Sequence, residues 1–481
     1  MLDLLTDVVG LAEGRCSYAE ARHVAERRED LEVRGGAVDE ASHETVEGIG
    51  VRVRVGGAWG FAATADVSRA GAETALERAL AFAAAQPAGA DRPLTAVEAA
   101  RGSWASPCER DPFDVPLEDK LALLAEADAA LRGDARIARS HARLTARRIH
   151  KHFASTEGSA LEQVTVLCGA GLQAIAVDEH DLQVRSYPTG HGGDTRAAGW
   201  EHILALDLVG NAARVADEAI ALLSAPACPE GRATIVLHGE QPALQTHESI
   251  GHALELDRIL LGEASYAGTS WVATGDFHPT RPLRYGSELL NVTADATVPG
   301  GLGTYGWDDE GVAARRTPLI EAGVLRAALS DRESAAAVGL DGAGGCARAD
   351  GFARQPIVRM TNVNVEPGGA GSLGDLIADT DDGLYLETNK SWSIDDRRLQ
   401  FQFGTEICRE IRGGELGRLY RNPSYAGITP QFWGSLDAVC GEGEWRLWGL
   451  TNCGKGEPGQ IMEVSHGTSP GRFRDVQVGV A

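Results

Sequence analysis

Ala142-Arg-Leu-Thr-Ala-Arg-Arg-Ile149, Ala160-Leu-Glu-Gln-Val-Thr-Val-Leu-Cys168, Leu172-Gln-Ala-Ile-Ala-Val177 and Leu182-Gln-Val-Arg-Ser-Tyr187 follow one another in close succession. Each reads as a strand by its alternation and its β-branched residues. Neighbouring strands with helices set apart imply an α+β fold with a largely antiparallel sheet. Upstream, Asp30-Leu-Glu-Val-Arg34 is a short strand, and Gly50-Val-Arg-Val-Arg-Val-Gly-Gly-Ala-Trp-Gly-Phe61 reads as two strands around a Gly-Gly turn. Leu4, Leu5, Val8, Val9 and Leu11 recur at helical spacing, and residues 1–30 are predicted helical. Further helices are expected over Gly71–Gln86, Pro116–Leu131 and Trp200–Ser224.

The cluster Ala225-Pro-Ala-Cys-Pro-Glu-Gly231 breaks the last helix and marks a domain boundary. Residues 1–228 are expected to form an N-terminal α/β domain, an antiparallel sheet with flanking helices. Residues 229–481 are richer in Gly, Trp, Tyr and Asn. They read as a mainly β, barrel-like domain with a few inserted helices. Ala233-Thr-Ile-Val-Leu-His238, Asn291-Val-Thr-Ala, Arg398-Leu-Gln-Phe-Gln-Phe403 and Trp445-Arg-Leu-Trp448 are its clearest strands, and Pro242–Leu256 its helix candidate.

Across 481 residues, 45 Lys and Arg face 69 Asp and Glu, a net charge of −24. Such a chain lacks the basic field that neutralises phosphates, which argues against direct nucleic-acid binding, and it is repelled by an anionic membrane surface. Nowhere is there a run of about 18 apolar residues, so no transmembrane helix is expected. The acidic start Met1-Leu-Asp-Leu-Leu-Thr-Asp7 does not read as a signal peptide, which points to the cytoplasm. The 8 cysteines are scattered without a CxxC pair, a poor disulfide framework.

Chemistry concentrates in His247-Glu248-Ser249-Ile250-Gly251-His252. It is an HExxH-like pattern with one extra residue between the histidines. At about 100° per residue, an i,i+5 pair lies about 140° apart on a straight helix. Both imidazoles can meet one ion only if the helix bulges or kinks, and Gly251 is a plausible place. Glu248 would then stand beside the metal as a base toward water. A catalytic zinc needs a third protein ligand. Cys453, in Leu450-Thr-Asn-Cys-Gly-Lys-Gly-Glu-Pro-Gly-Gln460, is the best candidate; a Gly-rich loop could present its thiolate, and Lys455 would favour that form. A buried structural Cys in a turn fits the same residues.

With these residues goes a resemblance. His247-Glu248…His252, Pro356-Ile-Val-Arg-Met-Thr-Asn362, Thr380-Asp-Asp-Gly-Leu-Tyr-Leu-Glu387, Phe403-Gly-Thr-Glu-Ile407, Asn452-Cys-Gly-Lys-Gly456 and the final Val478-Gly-Val-Ala481 resemble the TldD/PmbA family, the modulators of DNA gyrase with TldD-type metallopeptidase members. The resemblance implies that His247, His252 and Cys453 bind one Zn2+ per catalytic chain on a distorted helix, with Glu248 as the catalytic base. It implies a zinc-dependent peptidase acting on unfolded or extended peptides through a metal-activated water. It also implies a dimer, either a homodimer or a heterodimer with a PmbA/TldE-type subunit. Such partner subunits lack the metal motif, which this chain keeps.

Around this core, Gly454, Lys455, Arg359 and His466 are candidate substrate or oxyanion contacts. Arg359 reads equally as a structural ion pair, and His466 as a structural histidine. Glu255 is an orienter of His252 or an alternative ligand. Asp395, Asp396, Arg397 and Arg398 read as turn charges. His150 and His152 flank Lys151 on a predicted strand and share a face, where either a second metal or a solvated surface fits. Two rival functions remain: a hydrolase tailoring a small amide or peptide-conjugated metabolite, and a non-catalytic assembly subunit with a relic site.

Overall fold

Tyr18–Arg34, Ala37–Val55, Ile137–Ser155 and Ala160–Val177 are the long strands of the first half, and they lie side by side in one eight-stranded sheet. The computed structural model describes residues 1–87, 94–190, 192–262, 268–273, 281–340 and 344–479. In the sheet, Ala58–Thr64 flanks Ala37–Val55 at one edge. At the other, Ala160–Val177 takes Arg101–Ala105, Leu182–Tyr187 and Asp194–Arg196 as further partners. All of these pairings are antiparallel except that of Arg101–Ala105 with Ala160–Val164.

The helices cover one face of this sheet in two pairs. Leu2–Gly10 and Arg69–Ala85 pack with Ala19, Ala21, Ile49, Val51 and Ala154. Leu117–Leu131 and Leu208–Ser224 pack with Leu31, Val33, Leu144 and Ala146. Period-two alternation puts Arg22, Lys151 and Arg52 on the opposite face. There Arg22 donates to the carbonyls of Gly351 and Arg354, Lys151 meets Asp309, and Arg52 meets Glu310, so charged pairs join this face to the second half.

Two helix expectations need correction. Residues 1–30 are helical only over Leu2–Gly10; Tyr18–Arg34 is a strand bonded along both edges. Its polar residues looked helix-compatible, but pairing with two neighbours overrides a weak local preference. Trp200–Ser224 is two helices, Trp200–Ala205 and Leu208–Ser224, separated at Asp207. Asp207 takes a left-handed φ of 46° and caps the second helix through Gly210.

From Gly231 onward the chain forms a closed five-stranded barrel. Asp382–Ile394, Gly231–His238, Gly471–Gly479, Ser424–Ile428 and Gln400–Arg412 pair in that order, and the last returns to the first. A five-stranded sheet built on Val292–Asp295 and Arg316–Glu321, and the hairpin Arg446–Lys455/Gln460–Thr468, stand beside it. Phe401, Phe403, Tyr425, Phe432, Trp433 and Phe473 fill one contiguous core with Ile250 and Leu254. Closure leaves the barrel no free edge. Val480 and Ala481 lie outside the described residues. Among the described residues, no helix is long and apolar enough to cross a membrane.

Candidate metal centre

The helix after the first barrel strand is buried on every side. It runs as an α-helix over Gln241–Thr246, widens over His247–Gly251 and tightens over His252–Leu254. The His252 N–H bonds the His247 carbonyl, an i→i+5 link. This π-type turn is the distortion an i,i+5 histidine pair requires. The two imidazole centroids lie 4.7 Å apart, nearly perpendicular. Polar groups along the helix are met internally. Gln241 and Gln245 bond the Tyr425 hydroxyl, Trp433 Nε1 donates to Ser249 Oγ, and the Tyr285 hydroxyl donates to the Ser249 carbonyl at 2.5 Å. Gly251 closes the widened turn, where the sequence placed the distortion. Its φ is an ordinary −53°, but a Cβ there would lie 2.1 Å from Met360 Sδ. The site requires glycine because Met360 packs against the turn.

Cys453 does not sit in the Gly-rich loop the sequence suggested. It lies on the strand Arg446–Lys455, and the tight turn comes after it, between Lys455 and Gln460. A register shift between Leu450 and Cys453 inserts an extra residue, a bulge of the kind that re-aims side chains. Cys453 Sγ comes within 3.5 Å of His252 Nε2. His247, His252 and Cys453 each offer a buried ligand atom, all within 4.8 Å of one another.

Neighbours set which nitrogen of each imidazole carries the proton. His466 Nδ1 donates to the Val363 carbonyl (2.8 Å), so its Nε2 accepts from His247 Nδ1 (2.8 Å). His252 Nδ1 donates to Glu255 Oε2 at 2.9 Å. Both Nε2 lone pairs are thereby left for a ligand. Burial pulls His247 down to about 4 and lowers His252 as well, so both rings are neutral at pH 7. Burial pushes the Cys453 thiol up, but His252 and Arg359 beside it reverse the sign, and the thiol ends at about 7. Two neutral imidazoles and a readily ionised thiol are a donor set that suits zinc. Glu255 is no rival ligand in this arrangement. Burial would raise it, yet Lys455 and Arg258 hold its carboxyl well below the usual range, and it orients His252 as an anion.

The remaining sequence candidates are directed inward. The Lys455 ammonium bonds Asp257 (2.7 Å) and the Val358 carbonyl (2.6 Å), not the thiol, and Lys455 is 1% exposed. Arg359 is fully buried and donates to the carbonyls of Cys453 and Gln460. His466 is fully buried between His247 and Val363. Each therefore supports the three-residue cluster rather than an open substrate surface. Gly454 alone is exposed, on the hairpin strand. The sequence reading missed Arg398, taken as a turn charge. Its Nη1 donates to Glu248 Oε2 at 2.7 Å, from a backbone held at φ 60°. No local signal could have flagged it, since its partner lies 150 residues earlier.

Comparison with known proteins identifies the family. Family models for PmbA/TldA metallopeptidases match as domain 1 over residues 19–83, as the central domain over 110–223, and as the C-terminal domain over 230–479. A metalloprotease of Methanothermobacter thermautotrophicus is 30% identical across 99% of this chain and 98% of its own. A zinc metalloprotease TldD homolog of Saccharolobus solfataricus is 27% identical over 52% of each chain. Among solved structures, one from Thermotoga maritima superposes with a TM-score of 0.78 over 99% of each chain at 16% identity. TldE from Thermococcus kodakarensis gives 0.74, also at 16%, over 99% of this chain and 100% of its own. With its C-terminal half and both earlier segments matched in order, the chain belongs to the PmbA/TldD family of metallopeptidases.

Proposed function

We propose that the chain is a zinc-dependent peptidase, with His247, His252 and Cys453 as the ligands of one Zn2+ and Glu248 as the general base. The convergence of two Nε2 lone pairs and a thiol in one buried cluster carries this reading. When bound, zinc supplies a Lewis acid and lowers the pKa of water toward about 7. Glu248 takes a proton from water at Oε1 or Oε2 and later returns it to the departing amine. Arg398 holds that carboxylate in one orientation, and Glu255 and His466 hold the imidazoles.

Substrates on this reading are unfolded or extended peptides. A cleft of about 520 Å³ between the first sheet and the Cys453 hairpin is lined by Arg143, Thr145, Arg147, Thr451, Asn452 and Glu463. Its wall includes Asn452, the residue before Cys453 in the chain, and it has the size of a peptide subsite. Strand addition would recognise main chain with little sequence preference. We further propose two units, residues 1–228 and 229–481, which place their strands in separate sheets, and a cytoplasmic protein working as a homodimer or with a PmbA/TldE-type subunit. Trp392 is exposed enough to serve such an interface, whereas Tyr425 and Trp433 are core residues.

Zinc content and cleavage of an unfolded peptide should be measured for wild type, Glu248→Gln and Cys453→Ala, alone and with a PmbA/TldE-type partner. Glu248→Gln should keep zinc and lose activity; Cys453→Ala should lose both. Equal cleavage by Glu248→Gln would remove the base from the scheme and revive the assembly-subunit reading.

A further inference from the structure

A second cluster of histidines lies on the helix-bearing face of the first sheet, opposite the face that meets the second half. Strand registers put His23 opposite His152 and His152 opposite Glu162, with His150 one pleat further along. The row falls between the two helix pairs, beyond Ala21 and Ala154 and before Leu31 and Leu144. His150 Nε2 is 2.7 Å and His152 Nε2 3.7 Å from the same oxygen, Glu162 Oε1. The ligand atoms of these three residues lie within 4.8 Å of one another.

Proton placement makes the cluster more than a polar patch. His23 Nε2 is 2.9 Å from Glu47 Oε1, and a carboxylate can only accept, so the proton sits on Nε2. In the neutral form of His23, Nδ1 is then an acceptor. Its contact with His152 Nδ1, at 3.2 Å, requires the proton on the latter. His152 Nε2 is left as a bare lone pair aimed at a carboxylate oxygen, two acceptors without a proton between them. A carboxylate fixing a histidine whose far nitrogen faces other ligands is the outer-shell arrangement of metal-bound imidazoles.

We propose that His150, His152 and Glu162 bind a divalent transition-metal ion, with Glu47 and His23 setting the tautomer of His152. Two imidazole nitrogens and one carboxylate oxygen suit Zn2+, Cu2+ or Ni2+. His150 and Glu162 are 39% and 43% exposed, so a fourth position is open to solvent. The ion would tie Ile137–Ser155 to Ala160–Val177 between the two helix pairs.

Equilibrate the full-length protein with Zn2+, remove free ion by gel filtration and count bound metal. Wild type should retain two equivalents. Glu162→Gln and His150→Gln should retain one, and Glu162 is exposed enough that its variant should fold as wild type. Cys453→Ala should lose the other equivalent and keep this one, which separates the two sites. Cu2+ bound to Cys453→Ala should show an EPR spectrum with nitrogen ligands, lost in Cys453→Ala/His150→Gln. His23→Gln should weaken Zn2+ binding here by about 10–100-fold. A wild-type chain that keeps a single equivalent, or a folded Glu162→Gln that keeps two, overturns the proposal.

Discussion

Arg398 Nη1 rests 2.7 Å from Glu248 Oε2, bringing a barrel-side turn onto the carboxylate beside the histidine pair. The turn pays for this with a left-handed backbone at a non-glycine residue, φ 60°. Such conformations persist where surroundings over-determine them, often at functional sites. Arg398→Met should lower kcat by about 10–100-fold while zinc content stays at wild-type level, because only the base is released. Parallel metal analysis and peptide hydrolysis test this. Unchanged kcat would reduce the contact to a surface ion pair.

Gly251→Ala should destabilise the fold by about 1–3 kcal/mol, since the new methyl must displace a fully packed Met360. Met360→Ala opens a cavity of its own, but in the double variant the two losses should sum to less than their separate values. Urea denaturation of the three variants measures the coupling, and strict additivity would show that the turn does not lean on Met360.

Among the described residues, Lys455 is the only cation paired with both Glu255 and Asp257, and its side chain is fully buried. Lys455→Met leaves two carboxylates under-compensated, with Arg258 alone against Glu255. Stability should fall by about 3–5 kcal/mol. Equilibrium unfolding reads this directly, and a variant as stable as wild type would mean the network carries no net weight.

Glu240 offers a pH signature separate from the metal cluster. It is buried, and burial raises its carboxyl from 4.5 to about 7, although the N–H groups of Gly190 and Asn389 bond Oε1. The folded chain therefore holds a proton that the unfolded chain releases between pH 4.5 and 7. Wild-type stability should fall across that window, by at most about 3 kcal/mol from this group. Glu240→Gln, which keeps an acceptor for both N–H groups, should lose that part of the slope. Matching pH–stability profiles for the two proteins would contradict the assignment.

Much of the fold could be read from local pattern. Alternation located the strands of residues 142–187, and the Gly56-Gly57 turn appears where expected between Ala37–Val55 and Ala58–Thr64. Tyr18–Arg34 failed because its conformation is decided by neighbours that arrive later in the chain. In the site, the odd spacing of His247 and His252 announced a widened helix, and the structure has one. Cys453 was singled out, but its strand and bulge were not, since hairpin register depends on partners beyond the turn. Arg398 and the inward aim of Lys455 and Arg359 were invisible, because single charges carry no record of distant contacts.

The closed barrel also sets an order of events during synthesis. His252 and Cys453 are 201 residues apart, and the strand that seals the barrel, Gly471–Gly479, follows later still. A ribosome adding about 5–20 residues per second exposes both histidines well before their sulfur partner exists. The nascent chain thus carries a pair of imidazoles without their thiol, and the three-residue cluster can close only once Cys453 has emerged.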